Sequence, residues 1–232
     1  MDSTYRPAPQ VLERLKLVTF VAVVGPTSVG KTTLINAAVK REPSLHLVLN
    51  NTSRQPRETE RDGVDYLFRS RESMEARIAK GEYVQVAPSI LGELYATAPE
   101  GYSTEGVAAM AVLAEAIPAF RQSPFKNLRS VFITPPDWET WQQRLLAHNF
   151  TPEHRARRLR EAQTSFVFAL EDPHTTIVVN DDLATATQDF IDLALGKPLS
   201  PRLQAEQSNG RTIIRDLLAH LKLGIIKGGV RL

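Results

Sequence analysis

Gly25, Gly30, Lys31 and Thr32 stand at the spacing G-x-x-x-x-G-K-T, with Pro26, Thr27, Ser28 and Val29 between the glycines. These residue types at this spacing can hold phosphate. The glycines let the backbone curl until its N–H groups point inward at phosphate oxygens. Lys31 can then reach β- and γ-phosphates, and the Thr32 hydroxyl can ligate a magnesium ion. The apolar run Val18–Val24 precedes the motif, and the helix-like segment Thr33–Lys40 follows it. Strand, loop and helix in that order form the context such a loop requires, and the helix N-terminus adds partial positive charge. The motif therefore implies a bound nucleoside triphosphate. It leaves the phosphate acceptor open.

A second constellation follows the apolar run Leu45–Leu49. Arg54 and Arg57 are three apart with Pro56 between them, and Tyr66 lies nine residues beyond Arg57. Planar guanidinium forks suit phosphate oxygens, and a phenol adds one hydroxyl donor. Further cations cluster downstream at Arg144 and at Arg155, Arg157, Arg158 and Arg160; Arg155 and Arg158 share one face of a helix. For Arg157 and Arg160 a solvated helix face is the plainer reading. His154 and His174 show no metal-ligand spacing, and no Ser-His-Asp or paired-carboxylate hydrolase arrangement is present.

The elements that must position these groups are legible in outline. Buried strands are expected at Val18–Val24, Leu45–Leu49, Tyr83–Val86, Ser130–Ile133 and Thr176–Val179. Asp137 is placed to cap a helix over Trp138–His148. Thr151-Pro152-Glu153 starts another that runs to about Leu170. Asp182 can cap a third, ending near Leu195 before Gly196. Trp138 and Trp141, three apart on an amphipathic helix, read as packing residues. Alternating strands and helices imply an α/β fold with a mostly parallel sheet flanked by helices. Its ligands bind at the carboxyl ends of the strands. Lys197–Gly210 is polar and reads as a linker, and Thr212–Leu223 as a short amphipathic helix.

Composition bounds the rest. The 232 residues suffice for one well-buried α/β domain with additions. A net charge of +2 gives no general electrostatic case for nucleic acid or membrane as a partner. There is no cysteine, which excludes disulfides and thiolate chemistry. No apolar run has the length of a membrane span, and Met1–Gln10 has no apolar signal core, so a cytoplasmic location is expected. A homodimer is left open.

From Asn50 to Phe68 the chain resembles the T-T-R-x-P-R-x-G-E-x-x-G-x-D-Y-x-F signature of guanylate kinases. Leu94-Tyr95-Ala96-Thr97 is similar to that family's Y-Y-G-[ST]. Val131–Pro136 with Gln143-Arg144-Leu145 is similar to its F-I-x-P-P and R-L elements. Arg158-Leu159 and Val178–Asp182 resemble its lid arginine and V-N-D-D run. The resemblance covers about Val18–Leu195. It implies a P-loop NTPase-type sheet carrying a small monophosphate-binding insertion at about 50–98 and a lid at about 146–165. That domain spans 17–196, between an extension at 1–16 and a linker and helical tail at 197–232.

The resemblance further implies ATP and Mg2+ as cofactors and transfer of a phosphoryl group to GMP or dGMP. A sugar-phosphate kinase and a catalytically weak binding module are the alternatives. Gly25 to Thr33 would hold the ATP phosphates, with Thr32 on the metal and Asn180 near the adenine. Arg54, Arg57, Tyr66 and Tyr95 would hold the acceptor phosphate, and Arg144 and Arg158 would close over the transferring group. Asn50, Gln85 and Thr97 fall at base-reading positions. Here the chain departs from the pattern: Asn50 replaces serine, Gln85 replaces glutamate, and Ala96 replaces glycine. No D-x-D pair is present, Glu115 being the nearest acid, and His148 stands where a second lid arginine is frequent. The phosphate-handling half is intact and the base-reading half is altered.

Overall fold

The computed structural model describes residues 5–56, 58, 60–88, 92–148 and 150–226. In chain order its elements are α1 (Pro9–Leu15), β1 (Thr19–Val24), α2 (Lys31–Arg41), β2 (Leu45–Leu47), β3 (Asn51–Thr52), β4 (Leu67–Phe68), α3 (Arg71–Ala79), β5 (Gln85–Pro88), β6 (Leu94–Thr97), β7 (Val107–Ala111), α4 (Ile117–Gln122), β8 (Asn127–Thr134), α5 (Trp138–Leu146), α6 (Pro152–Glu171), β9 (Thr175–Val179), α7 (Leu183–Ala194) and α8 (Pro201–Ile226). Five strands form a parallel sheet in the order β2-β7-β1-β8-β9, and four short ones form a second sheet in the order β4-β3-β6-β5. This is the expected α/β class. The chain divides into two compact units.

The first unit comprises Met1–Phe20, Ser44–Met110 and Pro118–Leu128. It contains the whole four-stranded sheet. β3 runs parallel to β4 and antiparallel to β6, and β6 pairs antiparallel with β5. The register sets Gln85 opposite Thr97 and Thr52 opposite Tyr95. One side of this sheet is closed by Met74, Tyr83, Val86, Ala96 and Ala98, all buried. Tyr5 fastens the chain start to it, its hydroxyl donating to the Tyr83 carbonyl at 2.7 Å and accepting from the Tyr83 N–H at 2.8 Å. The strand expected at 83–86 is displaced to Gln85–Pro88. β3 and β4, only two residues long, were too short to show a periodicity in sequence.

The second unit comprises Val21–Pro43, Ala111–Ile117 and Arg129–Leu232. β8 and β9 pair in parallel from Ser130 opposite Thr175 to Thr134 opposite Val179. Every expected cap in this unit forms. The Asp137, Thr151 and Asp182 side chains accept from the N–H groups of Thr140, His154 and Thr185, each satisfying a donor that the first helical turn leaves open.

The C-terminal segment corrects the sequence reading. Instead of a linker through Gly210 and a short helix after it, α8 is one 26-residue helix that begins at Pro201. Gly210 does not break it, because its missing side chain is what permits close packing: a Cβ there would lie 2.6 Å from Ile177 Cγ2. Beside it the Gln207 amide accepts from Ile177 N–H at 2.9 Å and donates to Ile177 C=O at 2.9 Å, completing backbone bonds on β9. Arg211 donates to the carbonyls of Ala169 and Leu170 at the end of α6, where a helix leaves acceptors unpaired.

Candidate phosphate sites

The phosphate loop lies in the second unit, between β1 and α2. Gly25 has φ +146°, and a Cβ there would come within 2.4 Å of the Ile133 carbonyl oxygen. Gly30, at φ +92°, is the N-terminal cap of α2, and a Cβ there would meet the Asn180 amide at 2.5 Å. Both positions exclude other side chains on conformation and on space. Ser28 also takes a left-handed conformation, φ +66°, which is costly for a non-glycine residue.

The loop is held from behind by two side-chain donors. The buried Trp141 on α5 donates its indole N–H to the Thr27 carbonyl at 2.9 Å. Asn180, 5% exposed at the end of β9, donates its amide to the Val29 carbonyl at 2.8 Å. Asn180, the residue expected near an adenine, thus has its amide engaged with the loop backbone. Its own carbonyl accepts from Arg144 Nη2 at 3.0 Å.

Lys31 folds back over the loop, donating to the carbonyls of Gly25 at 2.6 Å and Pro26 at 2.7 Å. Its pKa is lowered to about 8, by burial first and by Arg158 second, with Glu161 opposing both. Arg158 pairs with Glu161 at 2.7 Å, and Arg157 approaches the same carboxylate at 3.6 Å. Arg144 Nη1, the Ser28 hydroxyl and the Nε atoms of Arg155 and Arg157 are buried without hydrogen-bond partners. The Ser28 hydroxyl on the loop and Arg144 Nη1, linked to it through Asn180, are donors left open beside a partly destabilised ammonium, which is chemically suited to a polyanion. Thr32 and Thr33 sit exposed in the first turn of α2. Among the described residues no cluster of three acids or histidines could hold a metal unaided. A magnesium ion would thus take Thr32 and phosphate oxygens, a donor set that suits it.

The second site is in the first unit. Arg54 makes a two-pronged ion pair with Glu60 at 2.6 and 2.7 Å, both side chains nearly buried. Its Nε donates to the Tyr95 hydroxyl at 3.1 Å, and its Nη1 also donates to the Gln55 carbonyl. The guanidinium lies 4.8 Å over the Tyr66 ring and 5.5 Å from that of Phe68. Glu60 first, and Tyr95 second, raise its pKa against the opposing effect of burial. A guanidinium has five N–H groups, so among the described residues these bonds leave one on Nη2, with the Tyr95 hydroxyl proton beside it. Arg57 lies outside the described residues.

The base-reading candidates are spread along this sheet. Gln85 is half-buried on β5 opposite Thr97, which is 1% exposed and accepts from the Tyr102 hydroxyl at 3.1 Å. Burial raises the pKa of that phenol, which holds it as a donor. Asn50, half-buried, immediately precedes β3. Glu115 is not on this sheet: it is exposed on a 3₁₀ turn, Ala114–Ala116, of the other unit.

The family model described as guanylate kinase matches residues 18–194. The chain belongs to the guanylate kinase family. A guanylate kinase of Symbiobacterium thermophilum is 35% identical over 176 residues, covering 73% of this chain and 81% of that protein. One of Corynebacterium diphtheriae is 32% identical over 183 residues, covering 76% and 94%. The crystal structure of guanylate kinase from Anaplasma phagocytophilum superposes with a TM-score of 0.53 at 19% identity, covering 82% of this chain and 86% of that one. That last likeness concerns the fold alone.

Three residues were missed in sequence. Glu60, which holds Arg54, stands at the fixed glutamate of the guanylate kinase signature and was there to be read. Glu161, at i+3 from Arg158 and i+4 from Arg157, was legible from helical spacing. Trp141 was assigned to packing; only the rule that a buried indole N–H finds an acceptor hinted at its bond to the loop.

Proposed function

We propose that this guanylate kinase family member transfers the γ-phosphoryl group of ATP to GMP or dGMP. An oxygen of the acceptor monophosphate attacks the γ-phosphorus, the bond to the β–γ bridging oxygen breaks, and ADP leaves with that oxygen's charge. Lys31, the loop N–H groups and the N-terminus of α2 hold the donor phosphates. Arg144 and Arg158 neutralise charge on the transferring group, and Arg54, Tyr66 and Tyr95, with Arg57, hold the acceptor phosphate. Thr32 would hold a magnesium ion, which would supply further neutralisation of phosphate charge. Such chemistry consists mainly of positioning and charge compensation. The observation that carries the reading is the glycine loop with Lys31 drawn over it and the buried Ser28 hydroxyl without a partner.

Guanine is the base best supported, with a different readout. A glutamate can accept from guanine N1–H and N2–H together. The Gln85 amide can accept from N1–H and donate to O6, which leaves the 2-amino group unread. The experiment is a coupled ATP-consumption assay against GMP, dGMP, IMP, AMP and a pentose phosphate. The expected result is GMP, dGMP and IMP accepted with similar kcat/KM, since a 2-amino group that is not read gives no discrimination, and AMP and the pentose phosphate inactive. A pentose phosphate preferred over GMP would sink the assignment.

A further inference from the structure

Helix α8 lies beyond the matched segment 18–194, yet it touches the scaffold of the phosphate loop. His220 on α8 stacks on Trp138 at the start of α5, with centroids 5.1 Å apart and planes 14° from parallel. Trp138 packs edge-on against Trp141 at 5.6 Å. Trp141 is fully buried and spends its single polar hydrogen on the Thr27 carbonyl. Farther along, Arg211 and Gln207 fasten the same helix to α6 and β9.

The bond to Thr27 has a geometric consequence. In a trans peptide the carbonyl and the following N–H point in opposite directions. Fixing the Thr27 carbonyl toward Trp141 therefore turns the Ser28 N–H away from Trp141. Asn180 does the same through the Val29 carbonyl for the Gly30 N–H. A phosphate loop works by presenting N–H groups on one side and carbonyls on the other. The left-handed Ser28 has a strained backbone that relaxes unless its neighbours hold it.

We propose that Trp141 is a positioning residue for the ATP phosphates, and that α8 supports it through the His220–Trp138 stack. The C-terminal helix is then part of the donor site's scaffold. The proposal rests on the loop being the ATP site, and its test separates the two claims.

The test is equilibrium binding of a non-hydrolysable ATP analogue with magnesium to the full chain, by calorimetry, beside thermal unfolding. Trp141→Phe keeps the aromatic packing and removes the donor. It should weaken analogue binding about fivefold, the worth of one hydrogen bond. His220→Ala removes the exposed stacking partner without opening the core and should weaken binding two- to threefold. His220→Phe, which restores a ring, should recover it. Unchanged analogue affinity in both Trp141→Phe and His220→Ala, whatever the change in Tm, would overturn the proposal while leaving the loop's role intact. An unaltered chain that does not bind the analogue would overturn the reading of the loop and this proposal with it. If Trp141→Phe does not fold, the His220 pair decides: loss with Ala and recovery with Phe supports the proposal, and no loss with Ala overturns it.

Discussion

Lys31 couples donor binding to pH. Its pKa of about 8 in the free chain reflects burial and the nearby Arg158. Phosphates favour the ammonium, so the pKa rises when ATP binds. The proton is therefore bound more tightly in the complex, and affinity is lost as pH rises above the free-chain value. ATP-analogue affinity should be flat below about pH 7 and fall by up to tenfold per unit above about pH 8, with proton uptake visible as a buffer-dependent calorimetric heat. A flat profile to pH 9.5 would contradict this environment for Lys31. At the proposed acceptor site, Arg54 is held on both edges by Glu60 and Tyr95. Lysine carries the charge but not the fork. Arg54→Lys should raise the acceptor KM by at least about tenfold, as for loss of charge-assisted bonds, with the ATP KM changed less than about twofold; equal changes in both would contradict the assignment. The glycine loop with Lys31 and the pairing of Arg54 with Tyr66 and Tyr95 lie in stretches that sequence motifs single out, because phosphate recognition uses fixed patterns of glycines and cations. Their partners were less legible. Asn180 and Trp141 act on loop carbonyls more than a hundred residues away in the chain, and no local spacing records such a bond.

At the scale of elements, register decides what the sheets present. The β5–β6 pairing sets Gln85 across from Thr97, so one substitution changes the pair available to a base without touching the arginines. Gln85→Glu should raise kcat/KM for GMP several-fold and lower it for IMP, because a carboxylate gains the 2-amino contact and loses the donor to O6. Parallel increases for both nucleotides would contradict this readout. Helices with capping residues were legible to within a residue or two, since a cap is a local signal. The two-residue strands β3 and β4 were not, because their only warrant is the strand beside them. Gly210 shows why α8 was misread. A glycine in a polar stretch suggests a break, but here it is the contact that brings the helix against Ile177. Gly210→Val should force α8 away from β9 at a cost of about 1–3 kcal/mol, the usual penalty of overpacking. A urea midpoint at or above that of the unaltered chain would count against this packing.

Over the whole molecule, two compact units each carry one of the candidate phosphate sites, and the family match runs through both. Helix α8 lies beyond the segment 18–194 that the family model matches. Among the described residues no helix is long and apolar enough to cross a membrane. The α/β class was legible because apolar β-branched runs alternate along the chain with capped helical segments, and both are local signals. The division into units was not, since each gathers three separate stretches of chain. The central claim is phosphoryl transfer from ATP to GMP at the Lys31 loop. The most direct test incubates the full chain with ATP, magnesium and GMP and follows ADP and GDP together by phosphorus NMR. Equal amounts of the two products are expected, with a rate lower on the order of a thousandfold in Lys31→Ala, comparable to losing a catalytic cation from a phosphoryl-transfer site, and the circular dichroism spectrum unchanged. ADP formed without GDP, or a Lys31→Ala variant that keeps the original rate, would contradict that claim.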